Sequence, residues 1–222
     1  METLTPAKSL VQMTYEAILN EICTGSLTPG TRLSQDQLAA QLNVSRQPVN
    51  SAIAMLKSQN FVEDTGRRGV VVAAVDRKLF NEIYQFRAAI DPLAVELAVP
   101  RLTKEDIVKG REIIAHGKAC VEAAQSQAVL QADVDFHSLI YQLSGNAIII
   151  DTMHLNWRHL QRSMSKVLQH PGMTTHVWIE HEQIFDAMVA GKTAQAAELM
   201  RTHVRDAPNR ISTPDAHIGN IP

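Results

Sequence analysis

Asp133 and His137 are four positions apart, a spacing that puts both side chains on one face of a helix and within reach of one ion. His181 shares an apolar face with Val177, Trp178, Ile184 and Phe185. His203 shares another with Ala196, Ala197, Met200 and Ala207. Three imidazoles and a carboxylate suit Zn, Ni, Mn or Fe, and leave room for water or an organic acid. Taken singly, a satisfied core residue is the simpler reading of each histidine. The chain has nine, and only the Asp133/His137 pair has local ligand geometry.

A second group is suited to nucleic acid. Ser45, Arg46, Gln47 and Asn50 fall at the start of one short helical pattern. Arg46 offers a bidentate fork to guanine, and the amides of Gln47 and Asn50 match adenine. Ser45 and the first helical amides suit a phosphate. Downstream, Arg67 and Arg68 suit the minor groove or its phosphates, and Gly69 allows close backbone approach. Packed helices with no DNA role remain an alternative for the helix pair alone.

These residues need elements to position them. Val11, Tyr15, Ile18, Leu19 and Ile22 recur at helical spacing and predict a first helix over about 5–23. Thr24-Gly25-Ser26 stops it, and Thr28-Pro29-Gly30 turns the chain. Ser34, with Gln37 three residues on, reads as the cap of a short helix that Asn43 ends in the left-handed conformation. Ser45 reads as the cap of the next helix, with Pro48 in its first turn. Two short strands, 61–64 and 69–73, flank a hairpin tip at Thr65-Gly66-Arg67-Arg68. From Asp76 onward six helices are expected: 77–100, 103–124, 127–144, 147–168, 174–190 and 193–212. Pro100, Gly145-Asn146, Pro171-Gly172 and Gly191 separate them, and Thr103 and Thr193 read as caps. The polar tail from Ser212 is expected to fray. The fold class is mainly α: a winged helix-turn-helix of three helices and a two-stranded wing over 1–75, then an all-α six-helix bundle over 76–222.

Bulk properties narrow the partners. The 222 residues are 45% hydrophobic and 20% charged, as in soluble globular proteins. No apolar run approaches the roughly 20 residues that span a bilayer, and no secretory signal is visible, so a cytoplasmic protein with no membrane partner is expected. Cys23 and Cys120 stand in no metal or redox spacing and read as buried thiols. Residues 1–76 hold six cations and seven acids, so any DNA contact depends on where single cations are placed.

PGTRLSQDQLAAQLNVSRQPVNSAIAMLKSQNFV, followed by RRGVVVA, resembles the winged helix of the GntR superfamily of bacterial transcription regulators. Asn50 departs from the pattern, which usually has a second recognition-helix arginine there. Residues 77–207 resemble the FCD ligand-binding domain of the FadR-type branch. FRAAIDPLAVELAVPRLT is similar to its opening helix, DVDFH and SGN to its middle motif, and IEHEQIFDAMVAGKTAQAAELMRTHV to its last two helices. Asp91 stands where the family commonly has glutamate. In metal-binding members the ligands match Asp133, His137, His181 and His203 one by one.

The resemblance implies a homodimeric transcription regulator, more often a repressor, of a metabolic operon. It implies a palindromic double-stranded operator with half-sites about one turn apart. It also implies a small organic acid effector bound at or near a divalent metal. Arg87, Arg158 and Arg162 are candidates to pair with the acid's carboxylate, since guanidinium matches it bidentately. Two alternatives stay open at this point: a regulator in which the ion itself is the signal, and a metallohydrolase using an open zinc position. No enzyme activity is expected, because the residues beside His181, Glu180 and Glu182, project away from its helix face.

Overall fold

The computed structural model describes residues 9–66, 69–164 and 171–212, and within them every side chain except those of 171–174 and 209–212. The chain divides into two compact units between Val75 and Asp76. The first unit contains α1 (Leu10–Thr24), β1 (Arg32–Leu33), α2 (Gln35–Gln41), α3 (Arg46–Ser58), β2 (Val62–Asp64) and β3 (Val70–Val72). The second contains α4 (Arg77–Ala98), a 3-10 turn (Val99–Arg101), α5 (Lys104–Glu122), α6 (Ser126–Ser144), α7 (Ala147–Met164), α8 (Pro171–Val189) and α9 (Thr193–Ser212).

In the first unit the apolar stripes do the folding. Ile18, Leu19 and Ile22 of α1 are buried with Val49, Ile53 and Leu56 of α3. Ser9 caps α1 by accepting from the Gln12 amide, and Gly25 ends it at φ 85°. Residues 5–8, where the sequence began this helix, lie outside the described residues. Ser34 caps α2 through the Gln37 amide, and Asn43 takes φ 53°. The wing differs from the two-stranded expectation. Its sheet has three antiparallel strands in the order β1-β3-β2. The third strand is Arg32–Leu33, held by Leu33 opposite Val70 and Arg32 opposite Val71. Two residues are too few for a periodic signal.

The second unit is the expected six-helix assembly. Asp76 caps α4 by accepting the amides of Lys78 and Leu79, and Thr103 and Asp106 form a reciprocal capping box on α5. Two expectations are corrected. Pro171 opens α8, where its missing amide costs no helical bond. Thr193 is the first residue of α9, not its cap. The end of α7 expected at 165–168, and the tail beyond Ser212, lie outside the described residues. Helix α4 packs on α6 and α9, α5 on α6 and α8, and α8 on α9. Phe136, Ile140, Met153, Leu160, Phe185, Met200 and Val204 form its fully buried core. Among the described residues, no helix is long and apolar enough to cross a membrane.

Candidate nucleic-acid interface and metal centre

Helix α3 buries Val49, Ala52, Ile53 and Leu56. That choice of face leaves Ser45, Arg46, Gln47 and Asn50 exposed at its start. Ser45 occupies the cap position, yet its hydroxyl makes no bond to the first turn. Pro48, the third helical residue, has no amide hydrogen and so removes one of the two usual donors to a cap hydroxyl. Arg46 Nε donates to Asp36 Oδ1 at 3.1 Å, with both side chains mostly exposed. A bidentate contact to guanine uses the terminal guanidinium nitrogens, so this bond orients the fork without consuming it.

The third strand adds a cation that sequence reasoning missed. Gly69, at φ 139°, lies over Arg32, and a Cβ there would be 3.2 Å from Arg32 Nε. Arg32, Ser34, Asp36, Gln37, Arg46 and Gly69 line a cleft of about 480 Å³. Asp36 is the second missed residue, since its partner is fixed only once α2 and α3 cross. Arg67 and Arg68, expected at the wing tip, lie outside the described residues.

In the second unit, α6 supplies Asp133 and His137, α8 supplies His181 and α9 supplies His203. One ligand atom from each histidine lies within 4.8 Å of the other two, and all three residues are buried. His181 Nε2 is 3.2 Å from His203 Nε2 and 3.4 Å from Asp133 Oδ1. Donors held about 2.1 Å from one tetrahedral or octahedral ion lie roughly 3.0–3.4 Å apart. The His181–His203 and His181–Asp133 spacings fit donors of one divalent cation, whereas His137 lies in the same cluster with both ring nitrogens against Arg87. Phe136 stacks on His181 at 4.2 Å between ring centroids, and Trp178 meets it edge-on at 4.9 Å, which fixes the ring plane.

Arg87 lies beside this cluster. Its side chain is 2% exposed, and its guanidinium pairs with the fully buried Asp91 at 3.0 Å. Tyr141 donates its hydroxyl to the other Asp91 oxygen at 2.8 Å. A terminal nitrogen of Arg87 is 3.1–3.2 Å from both ring nitrogens of His137, and the guanidinium lies 4.4 Å from the Trp157 ring centre. Burial and then the Arg87 charge hold His137 well below its ordinary pKa, so it is neutral, the form in which an imidazole can bind a metal. Burial raises the Asp133 carboxyl, while Arg87 and His203 draw it back. Burial pushes the Tyr84 hydroxyl up to about 12, keeping it protonated beside Arg87.

Arg158 lines a cleft of about 250 Å³ between α6 and α7, with His154, Trp157 and Gln131. Arg162 is buried on α7. Glu180 is the third residue that sequence reasoning missed. It does project away from His181, but it reaches α9, where its Oε2 is 2.7 Å from His203 Nδ1. Only the register between α8 and α9 brings residues 180 and 203 together, and that register is not written in either helix.

A winged helix followed by a helical unit with a buried histidine cluster is the arrangement of a class of transcription regulator. Residues 10–72 match the bacterial regulatory proteins, gntR family, and residues 82–206 match the FCD domain. The chain belongs to the GntR family of DNA-binding transcription regulators, with an FCD domain following its winged helix. It is 26% identical over 187 residues to the HTH-type transcriptional regulator YdhC of Bacillus subtilis (strain 168), covering 83% of this chain and 82% of that one. It is 22% identical over 208 residues to the HTH-type transcriptional repressor RspR of Escherichia coli (strain K12), covering 94% and 91%. The solved structure of E. coli McbR/YncC has a TM-score of 0.82 at 21% identity, over 92% of this chain and 98% of that one, a likeness of fold. The family regulates transcription, so the metallohydrolase alternative falls.

Proposed function

We propose that this chain is a cytoplasmic, homodimeric repressor of a metabolic operon, controlled by a small carboxylate at a divalent metal. In this reading residues 1–75 bind DNA, and residues 76–222 bind effector and pair two copies. The observation that carries it is the buried cluster of His137, His181 and His203, with Arg87 beside it. An uncharged core has no use for three convergent imidazoles and a guanidinium. A metal with an anionic effector uses both. Asp133 supplies the fourth ligand, 3.4 Å from His181. We assign Arg87 to the effector's carboxylate, with Arg158 and Arg162 as further candidates. The repressor assignment draws on the named role of RspR. The metal, Zn, Ni, Mn or Fe, would supply an electrophilic centre for the acid's oxygens.

On the DNA side, Ser45, Arg46, Gln47 and Asn50 contact one half-site, and Arg67, Arg68 and Gly69 follow the wing into the adjacent groove. The test begins with duplexes selected from a random library by the wild-type protein. Arg46→Ala should lose about 1–3 kcal/mol of discrimination at one guanine per half-site. Undiminished preference in a gel-shift titration would remove Arg46 from the interface. Elemental analysis should find bound metal in the wild type and less in His181→Ala. Equal metal in both removes His181 from the ligand set. If restoring the ion alone to chelated protein switches DNA binding, the ion is the signal and the carboxylate is not.

A further inference from the structure

The three histidines are braced differently. His137 faces the Arg87 guanidinium, a cation. His203 faces an anion: Glu180 Oε2 is 2.7 Å from its Nδ1. His203 is 6% exposed and Glu180 17%, so the bond is largely screened from water. The second Glu180 oxygen is 3.1 Å from Nε2 of His176, an exposed residue one turn earlier on α8. The carboxylate is thus tied at both oxygens, one toward the surface and one toward the buried cluster.

An ionised carboxylate only accepts. The short contact therefore puts a proton of His203 on Nδ1, and in the neutral ring that a metal requires, the lone pair is then on Nε2. That Nε2 is the atom 3.2 Å from His181 Nε2, on the side where the ligand atoms converge. A carboxylate behind a ligating imidazole fixes its tautomer, locks its ring plane and raises its basicity toward a cation. We propose that Glu180 is a positioning residue for the metal centre and acts through His203 to set metal affinity. The proposal rests on the metal reading above, and it makes His203 the anchoring ligand. His137 must instead give up its contact with a guanidinium before it can bind an ion.

The experiment uses the full chain, stripped with chelator and titrated with Zn²⁺ against a chromophoric competitor. Glu180→Ala should weaken Zn²⁺ binding about 10–100-fold. Glu180→Gln keeps an amide oxygen able to accept from Nδ1–H, and should recover part of that loss. In a His203→Ala background, Glu180→Ala should cost nothing more, because its route to the ion is already gone. Helix content and melting of the metal-free proteins show whether each variant folds, and Glu180→Gln keeps the test open if Glu180→Ala does not. Wild-type affinity in Glu180→Ala, or an equal loss with and without His203, overturns the proposal. If the wild-type chain takes up no Zn²⁺, Ni²⁺, Mn²⁺ or Fe²⁺ at all, the metal reading itself fails and this inference falls with it. The two failures are therefore distinct.

Discussion

Replacing Gly117 by alanine tests how tightly α8, the helix that carries His181, is held. Helix α5 presents Gly110 and Gly117 to α8. A Cβ on Gly117 would lie 2.1 Å from the Trp178 ring, and one on Gly110 would lie 2.0 Å from the Phe185 ring. Ordinary contact begins at 3.4 Å, so the indole must retreat by the difference, about 1.3 Å. It has little room, being 1% exposed and set edge-on against His181. Two effects oppose each other. Alanine in place of glycine favours the helix by about 1 kcal/mol. Overpacking a rigid ring costs typically 1–3 kcal/mol, and a ring with nowhere to move falls at the upper end. The clash wins, for a net loss of roughly 1–2 kcal/mol. In a unit of this size that lowers Tm by about 2–8 °C. Urea unfolding followed by helix circular dichroism measures it. In a Trp178→Leu background the same change should be neutral or stabilising, because the obstacle is gone. A Gly117→Ala protein as stable as the wild type would falsify the close approach of α5 to α8.

Three further outcomes are expected. Asp91→Ala strands the buried Arg87 charge and should cost about 3–5 kcal/mol. A loss below about 1 kcal/mol by denaturant titration would mean that water reaches the guanidinium. Asp36→Asn removes an exposed partner of Arg46, so stability should move by less than about 1 kcal/mol, while affinity for random-sequence duplex rises at low salt. Unchanged or weaker binding would show that Asp36 is remote from the phosphates. Metal-free protein should lose stability as pH falls below about 6.5, the ordinary histidine value. Folded His137 resists the proton, whereas unfolded His137 accepts it, so the unfolded state binds more protons in that window and stability falls with pH. His137→Gln should flatten this slope, and an identical pH profile in the variant would refute the assignment.

The helices were legible in the sequence because their signals are repetitive. Ile18, Leu19 and Ile22, or Ala196, Ala197 and Met200, declare a buried stripe at helical spacing. Ser34 before α2 and Thr103 before α5 marked starts by side-chain chemistry, while Thr193 falls one residue inside α9. The strand Arg32–Leu33 was not legible, since its pairing with Val70 and Val71 depends on a partner nearly forty residues away. Ser45 marked the start of α3 correctly, although its hydroxyl makes no capping bond. The same limit governs the site. The spacing of Asp133 and His137 could be read from one helix, whereas the approach of His181 to Asp133 and to His203 joins different helices. The bonds of Glu180 to His203, Arg87 to His137 and Asp36 to Arg46 each join different helices, and no local pattern reports how helices cross.

The short strand β1 also has a mechanical consequence. It sews the turn before α2 to the wing: Gly30 donates to the Val72 carbonyl at 2.8 Å, and Val72 returns a bond to Thr31 at 2.9 Å. Phe61, at the exit of α3, accepts from Ala73 at 3.0 Å. Helix α3 and the wing are thereby stitched into one piece before the chain leaves at Val75. A cassette closed in this way can be moved but not remoulded by whatever follows it. A fragment cut at the Val75 junction is expected to keep α3 and the wing in this arrangement, which its helix circular dichroism and cooperative melting would check.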